Sequence, residues 1–259
     1  MSSVRKLVSL PRATAGLGLY LFYNKTLDLS IFRGKRIAVI GPADSATKSN
    51  LGTFIDQFDL VVRLNKAPDL LVAGTQAVQI GRRIDVLFHN FLENPSTGGS
   101  RLDLPTLHRL GVRYLVNPIP TTFGKRNCFN FYKKYLQQQP TYLAPSTPYE
   151  QVINRFGSKR TTTGFAALLA LLSSPFRELY ISGFTFFKTP YGHGYRDHLI
   201  DMETNKAHIQ TEDIHDPTIE YELFVEQIVQ LNTSPGRLYT DTTLAAILLR
   251  ESGVQVSTY

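Results

Sequence analysis

The sequence predicts a single α/β domain whose mostly parallel sheet is flanked by helices, and two observations predict it. The first is a set of short, almost wholly apolar runs: RIAVI at 36–40, DLVVRL at 59–64, IDVLF at 84–88, YLV at 114–116 and ELYISGF at 178–184. They are too short for core helices and lack polar alternation, as strands buried on both faces do. The second is what separates them: helix-forming stretches such as 48–58 and TGFAALLALLS at 163–173, rich in strong helix formers. Strands alternating with helices pack as a parallel sheet with helices on both faces, a Rossmann-like arrangement. At 259 residues and 42% hydrophobic content, the chain carries enough apolar surface for one such core.

Taken in order, residues 1–34 read as a basic leader. Arg5, Lys6 and Arg12 precede an apolar stretch at 17–23, far short of the roughly 20 residues that cross a bilayer. Pro11 and Arg12 break the apolar run and no small-residue cleavage pattern follows, unlike a secretory signal. The leader's composition allows a peripheral contact with an anionic membrane surface. Residues 35–259 form the expected main folded domain. Within it, 118–160, rich in Pro, Gln, Lys and aromatics, is the expected insertion or lid. Ile219, Leu223, Phe224 and Ile228 mark an amphipathic helix, and 241–250 a last helix with Asp241 as N-cap.

Lys and Arg number 28 against 21 acidic residues, a net charge of +7, which points to anionic partners. No run of five Lys or Arg occurs and one cysteine builds no zinc spacing, so nucleic acid is not an expected partner. The single Cys128 excludes an intrachain disulfide and suits a reducing, cytoplasmic compartment, where it serves as a small buried hydrophobe.

Ligands of open α/β sheets bind beyond the carboxyl ends of the strands, here the loops 41–47, 65–68 and 184–198. The first loop, Gly41-Pro42-Ala43-Asp44-Ser45-Ala46-Thr47, leads from a strand toward a helix and is a candidate phosphate cradle. It carries neither G-x-G-x-x-G nor G-x-x-x-x-G-K-[ST], so a dinucleotide-dependent oxidoreductase is disfavoured. Thr162, Thr163 and Gly164 open the apolar helix and place hydroxyls and N–H groups at its start. HDPTIE, 215–220, supplies a histidine suited to proton transfer near neutrality, with Glu220 about one helical turn beyond.

Together these blocks carry a resemblance. RIAVIGPADSATKSNLGTFIDQFDLVVRLNKAP, 36–68, is similar to the large sialylmotif of the animal-type sialyltransferases, glycosyltransferase family 29, through Gly41, Ile55, Asp56, Asp59, Arg63 and Asn65. RTTTGFAALLALLSSPFRELYISGF, 160–184, resembles the small sialylmotif, and His215 and Glu220 have the His-x4-Glu spacing of the very small one. The matched region runs from about 35 to 225. The resemblance implies the GT-A-like variant of the fold found in sialyltransferases. It also implies a CMP-sugar donor, a glycan acceptor, and inverting transfer of sialic acid with His215 as general base and no cofactor or metal. The donor-binding residues it implies are Gly41, Ala43, Asp44, Ser45, Asn65, Thr162, Thr163, Gly164, Gly183, Phe184 and Thr185.

The chain departs from the family in three places. Pro42 stands where an asparagine usually contacts the donor. The disulfide that joins the large and small motifs in animal members cannot form with one cysteine, which points to a bacterial or otherwise cytosolic member. The third motif, His-Tyr-x-Asp/Glu, is displaced: with Tyr195 and Asp197 aligned, Gly194 takes the histidine's place. His193 is the expected second catalytic histidine, as a contact to the donor phosphate or cytosine, with His198 the alternative in a shifted loop and Tyr195 and Glu220 supporting. The motifs hold mainly the nucleotide, so CMP-Kdo is also compatible as donor, as is a non-catalytic nucleotide- or glycan-binding protein on the same scaffold. No Asp-x-Asp metal-diphosphate motif exists; Asp201-Met202-Glu203 is the nearest approach.

Overall fold

A computed structural model of the protein describes residues 2–94, 98–199, 201–231 and 236–259. Nine parallel strands form one sheet: β1 Asn24–Thr26, β2 Arg36–Ile40, β3 Leu60–Leu64, β4 Val86–Phe88, β5 Tyr114–Asn117, β6 Thr141–Leu143, β7 Glu178–Ser182, β8 Arg237–Thr240 and β9 Ser257–Thr258. Their spatial order is β1-β6-β5-β4-β3-β2-β7-β8-β9. The five apolar runs of the sequence are the five strands from β2 to β5 together with β7. They alternate between layers: Ile37, Val39, Val86 and Phe88 pack on one face, while Ala38 and Ile40 and Leu87 pack on the other. Burial on both faces is why these runs are continuous rather than alternating.

From β2 the chain steps outward through β3, β4, β5 and β6, then returns to place β7 on the other side of β2. Successive connections therefore diverge at the carboxyl ends of β2 and β7, where such sheets open a crevice. Gly41 and Gly183 meet there. A Cβ on Gly41 would lie 2.3 Å from the Gly183 carbonyl oxygen, and one on Gly183, at φ +75°, 2.6 Å from that of Gly41. Only two glycines allow the loops to cross this closely.

Asp241 fixes the same crossing from below. Its Oδ1 accepts from Leu244 N–H at 2.8 Å, capping the Thr242–Ser252 helix as the sequence predicts. Its Oδ2 accepts from Gly183 N–H at 2.8 Å, Ser45 Oγ at 3.0 Å and Ser182 Oγ at 3.1 Å. Asp241→Ala removes a cap and strands these buried donors, and should cost about 2–4 kcal/mol, read as a lowered urea midpoint. A midpoint unchanged from the wild type would show that the crossing holds without this carboxylate.

Several expectations change. The predicted helix over 48–58 is a 3₁₀ turn, Asp44–Thr47, followed by a short helix, Gly52–Ile55. Gly52 lies beneath the Ala77 and Val78 carbonyls, where a Cβ would approach to 2.1 Å. The segment 118–160 is neither insertion nor lid. It forms the Thr122–Tyr135 helix, strand β6 and the Ser146–Ile153 helix, and β6 lies between β1 and β5. Residues set apart as a leader form the Ser2–Tyr23 helix and β1 at the sheet's edge. That helix packs on Thr122–Tyr135 closely enough that a Cβ on Gly16 would lie 2.7 Å from Lys133 Cα. The Arg12 guanidinium donates to the Lys133 carbonyl at 2.8 Å and to that of Lys134, placing a cation at the neighbouring helix's negative end. Among the described residues, no helix is long and apolar enough to cross a membrane. Cys128 is buried in the core and burial pushes its thiol up to about 12, leaving it an unreactive hydrophobe at neutral pH.

Candidate active site

A cavity of about 240 Å³ opens at the divergence point, walled by the loops after β2, β3 and β7 and by the start of the Thr163–Leu172 helix. The three sequence-distant blocks converge on it. Asn65 comes from the first, Thr162, Thr163, Gly164, Gly183 and Phe184 from the second, and His215 and Glu220 from the third. Ala43, Thr185 and Tyr195 complete the predicted residues that line it.

The His-x4-Glu spacing has a geometric meaning. Arg160 N–H donates to the Ile214 carbonyl at 2.9 Å, and His215 Nδ1 lies 2.8 Å from the Arg160 carbonyl oxygen. A carbonyl only accepts, so Nδ1 carries a proton and the neutral ring presents Nε2 as its basic nitrogen. Further along, Thr162 N–H donates to Glu220 Oε1 at 2.5 Å, and its hydroxyl to Oε2 at 2.9 Å. The histidine and the glutamate thus grip the two ends of 160–162, and Thr162 Oγ in turn accepts from Phe165 N–H at 3.0 Å, capping the helix. Glu220 is 2% exposed, and burial pushes its carboxyl up to about 8 against the opposing pull of the Thr162 bonds.

Asn65 takes φ +42°, a left-handed conformation that asparagine tolerates, and so turns out of β3 into the crevice. Its Oδ1 is buried with no hydrogen-bond partner. The Thr163–Leu172 helix begins here, and its first-turn N–H groups and positive dipole end favour an anion. A Cβ on Gly164 would meet nothing closer than 3.4 Å, so protein packing does not demand glycine and the space is left to the cavity. Phe186 and Phe187, at φ +51° and +59°, are held in a conformation costing non-glycine residues of order 1 kcal/mol each.

Other predicted residues lie elsewhere. Gly41 serves the loop crossing. Ser45 is spent on Asp241, and Asp44 pairs with Lys48 at 3.0 Å; neither lines the cavity. His193 is exposed, its carbonyl accepting from Gln76 Nε2 at 2.9 Å, because the turn at Gly194 sends Tyr195 inward instead. The side chain of His198 lies outside the described residues. Pro42 lines the cavity and offers only its carbonyl, which accepts from Gly192 N–H at 2.8 Å. Of the large-motif polar residues, Asp56 accepts from Arg82 and Arg83 N–H, and buried Arg63 donates to the Ile80 and Arg83 carbonyls. Arg63 thus braces the 80–83 loop against β3 and Asp56 braces it against the end of the Gly52–Ile55 helix, rather than facing a ligand. Sequence reasoning missed Arg160 as the holder of His215, since a backbone carbonyl leaves no residue-type signal. It also missed Arg196, Asn205 and His208, which line the cavity from beyond the recognised blocks.

A mammalian sialyltransferase has a similar structure, with a TM-score of 0.55 over 87% of this chain and 78% of its own, at 16% identity. The Campylobacter jejuni sialyltransferase CstII, in complex with cytidine-5'-monophosphate, gives 0.53 over 87% of this chain and 86% of its own, at 12% identity. A mammalian sialyltransferase in complex with Gal-beta-1-3GalNAc-ortho-nitrophenol gives 0.53 at 15% identity, over 87% of this chain and 78% of its own. The fold is that of sialyltransferases. No family model matches the sequence, and no curated protein matches it either. On this sialyltransferase fold, the cavity lies at the carboxyl ends of β2, β3 and β7.

Proposed function

We propose that the protein is an inverting, metal-independent glycosyltransferase that moves sialic acid from CMP-sialic acid to a glycan hydroxyl. The observation that carries this reading is that His215 lines one cavity with Asn65 and the Thr163–Leu172 helix start, with its Nδ1 2.8 Å from the Arg160 carbonyl oxygen, an arrangement in which Nε2 serves as the base. The similarity to a sialyltransferase in complex with cytidine-5'-monophosphate supports the donor class.

In the reaction, Nε2 takes the proton of the acceptor hydroxyl as its oxygen attacks the anomeric carbon. The carbon–phosphate oxygen bond breaks on the opposite face and CMP departs with the electron pair, through an oxocarbenium-like centre. The helix start and Asn65 stabilise the departing phosphate with fixed dipoles. The Arg160 carbonyl stabilises the imidazolium that results, as a fixed acceptor to Nδ1–H. Asp201, in the nearest approach to a metal motif, is occupied as the N-cap of Met202–Glu212, accepting from Thr204 N–H at 2.8 Å.

The reading is tested by CMP release and product formation with CMP-sialic acid and CMP-Kdo assayed in turn. Turnover with CMP-sialic acid supports it; turnover with CMP-Kdo alone moves the donor assignment, and turnover with neither overturns it. Excess EDTA should leave the rate within about twofold. A loss restored by a divalent cation would contradict the phosphate-binding role of the helix dipole and amides.

A further inference from the structure

A second cavity, of about 520 Å³, adjoins the first and shares Phe186, Phe187, Ile209 and His215 with it. The Met202–Glu212 helix spans both. Asn205, His208 and Ile209 line the first, while Met202, Lys206, Ile209 and Gln210 line the second. Ile209 on this helix and His215 beyond it both stand at the border. A transferred group must stand at this border, with the acceptor hydroxyl arriving from the second cavity and the nucleotide lying toward Asn65 and the Thr163–Leu172 helix. Asn205 stands four residues before Ile209, hence on the same helix face, and with His208 it forms the stripe of that helix that lines the first cavity.

Asn205 is 1% exposed, and its Oδ1 has no hydrogen-bond partner. A buried amide oxygen left unpaired keeps its desolvation penalty uncompensated, and a ligand donor can relieve it. Beside it, Arg196 Nη1 lies 3.3 Å from His208 Nε2. Arginine only donates, so His208 Nε2 is the acceptor of that bond. An amide and a guanidinium held by an imidazole, all lining one sector, match a sugar with hydroxyl or N-acyl groups and a carboxylate.

We infer that Asn205 is a specificity-determining residue that hydrogen-bonds the sugar half of the donor, not its nucleotide. This rests on the CMP-sugar reading above. The test compares two ligands on the full-length protein: CMP by calorimetry, and CMP-sialic acid by its KM. Asn205→Ala should leave CMP affinity within about twofold and raise KM for CMP-sialic acid about tenfold. Asn205→Asp, isosteric but negative beside an acidic sugar, should raise KM further with CMP affinity again retained. Equal weakening of CMP and of the donor would overturn the inference by placing Asn205 on the nucleotide, and unchanged KM in both variants would overturn it as well. Absence of CMP binding in the wild type overturns the donor reading itself, and this inference with it.

Discussion

Replacing His215 by alanine should lower kcat by about 10²–10⁴-fold, the range typical of a lost general base, with CMP affinity within about twofold of the wild type. The split follows from the ring's position. His215 lines both cavities, and the proposed reaction sets it against the acceptor oxygen rather than the nucleotide. Its Nδ1 bond to the Arg160 carbonyl makes the effect depend on orientation as well as basicity. His215→Gln can keep a donor toward Arg160 but has no basic nitrogen, so it should be nearly as slow as the alanine variant. Turnover within a few-fold of wild type in either variant would remove His215 from the chemistry.

The second large effect concerns stability. Glu220 in the folded protein holds its proton up to about 8, against about 4.3 in an unfolded chain. The folded state therefore binds more protons than the unfolded one between these values. The stabilisation this provides is fully present below about 4.3 and is lost as the pH rises through about 8. Glu220→Gln mimics the protonated group, with Oε1 accepting from Thr162 N–H and Nε2 donating to Thr162 Oγ. Urea titrations at pH 5, 6.5 and 8 should show the wild type losing stability relative to this variant by up to about 1.4 kcal/mol per pH unit. Parallel curves would mean that Glu220 is ionised throughout. Glu220→Ala leaves Thr162 without either bond and loosens 160–162, so it should lose about 2–4 kcal/mol at pH 5 and also slow turnover.

The central strands were legible because they are buried on both faces and read as unbroken apolar runs. NKT of β1, TYL of β6, RLYT of β8 and ST of β9 offered no such signal. They are two to four residues long, and their sheet positions rest on register with neighbours distant in the chain. The same distinction holds in the site. Thr162, His215 and Glu220 could be found because each sits in a short block with its own local pattern, the Thr162-Thr163-Gly164 helix start and the His-x4-Glu spacing. Asp44 and Ser45 looked like a phosphate cradle because a hydroxyl and small residues followed Gly41. What turns Ser45 away is Asp241, 196 residues further on, and no local pattern announces that pairing. The third-motif loop misled for a backbone reason: Gly194 at φ +81° sends His193 to solvent and Tyr195 inward. Asn205 and His208 lie on a helix whose cavity-facing side shows only once the helix is docked.

A crystal structure of the protein with CMP bound tests the shared cavity most directly. The phosphate should lie at the start of the Thr163–Leu172 helix, beside Asn65, with His215 Nε2 facing the space where the sugar would be attached. CMP seated elsewhere, or a His215 ring turned from that space with its bond to the Arg160 carbonyl broken, would contradict it.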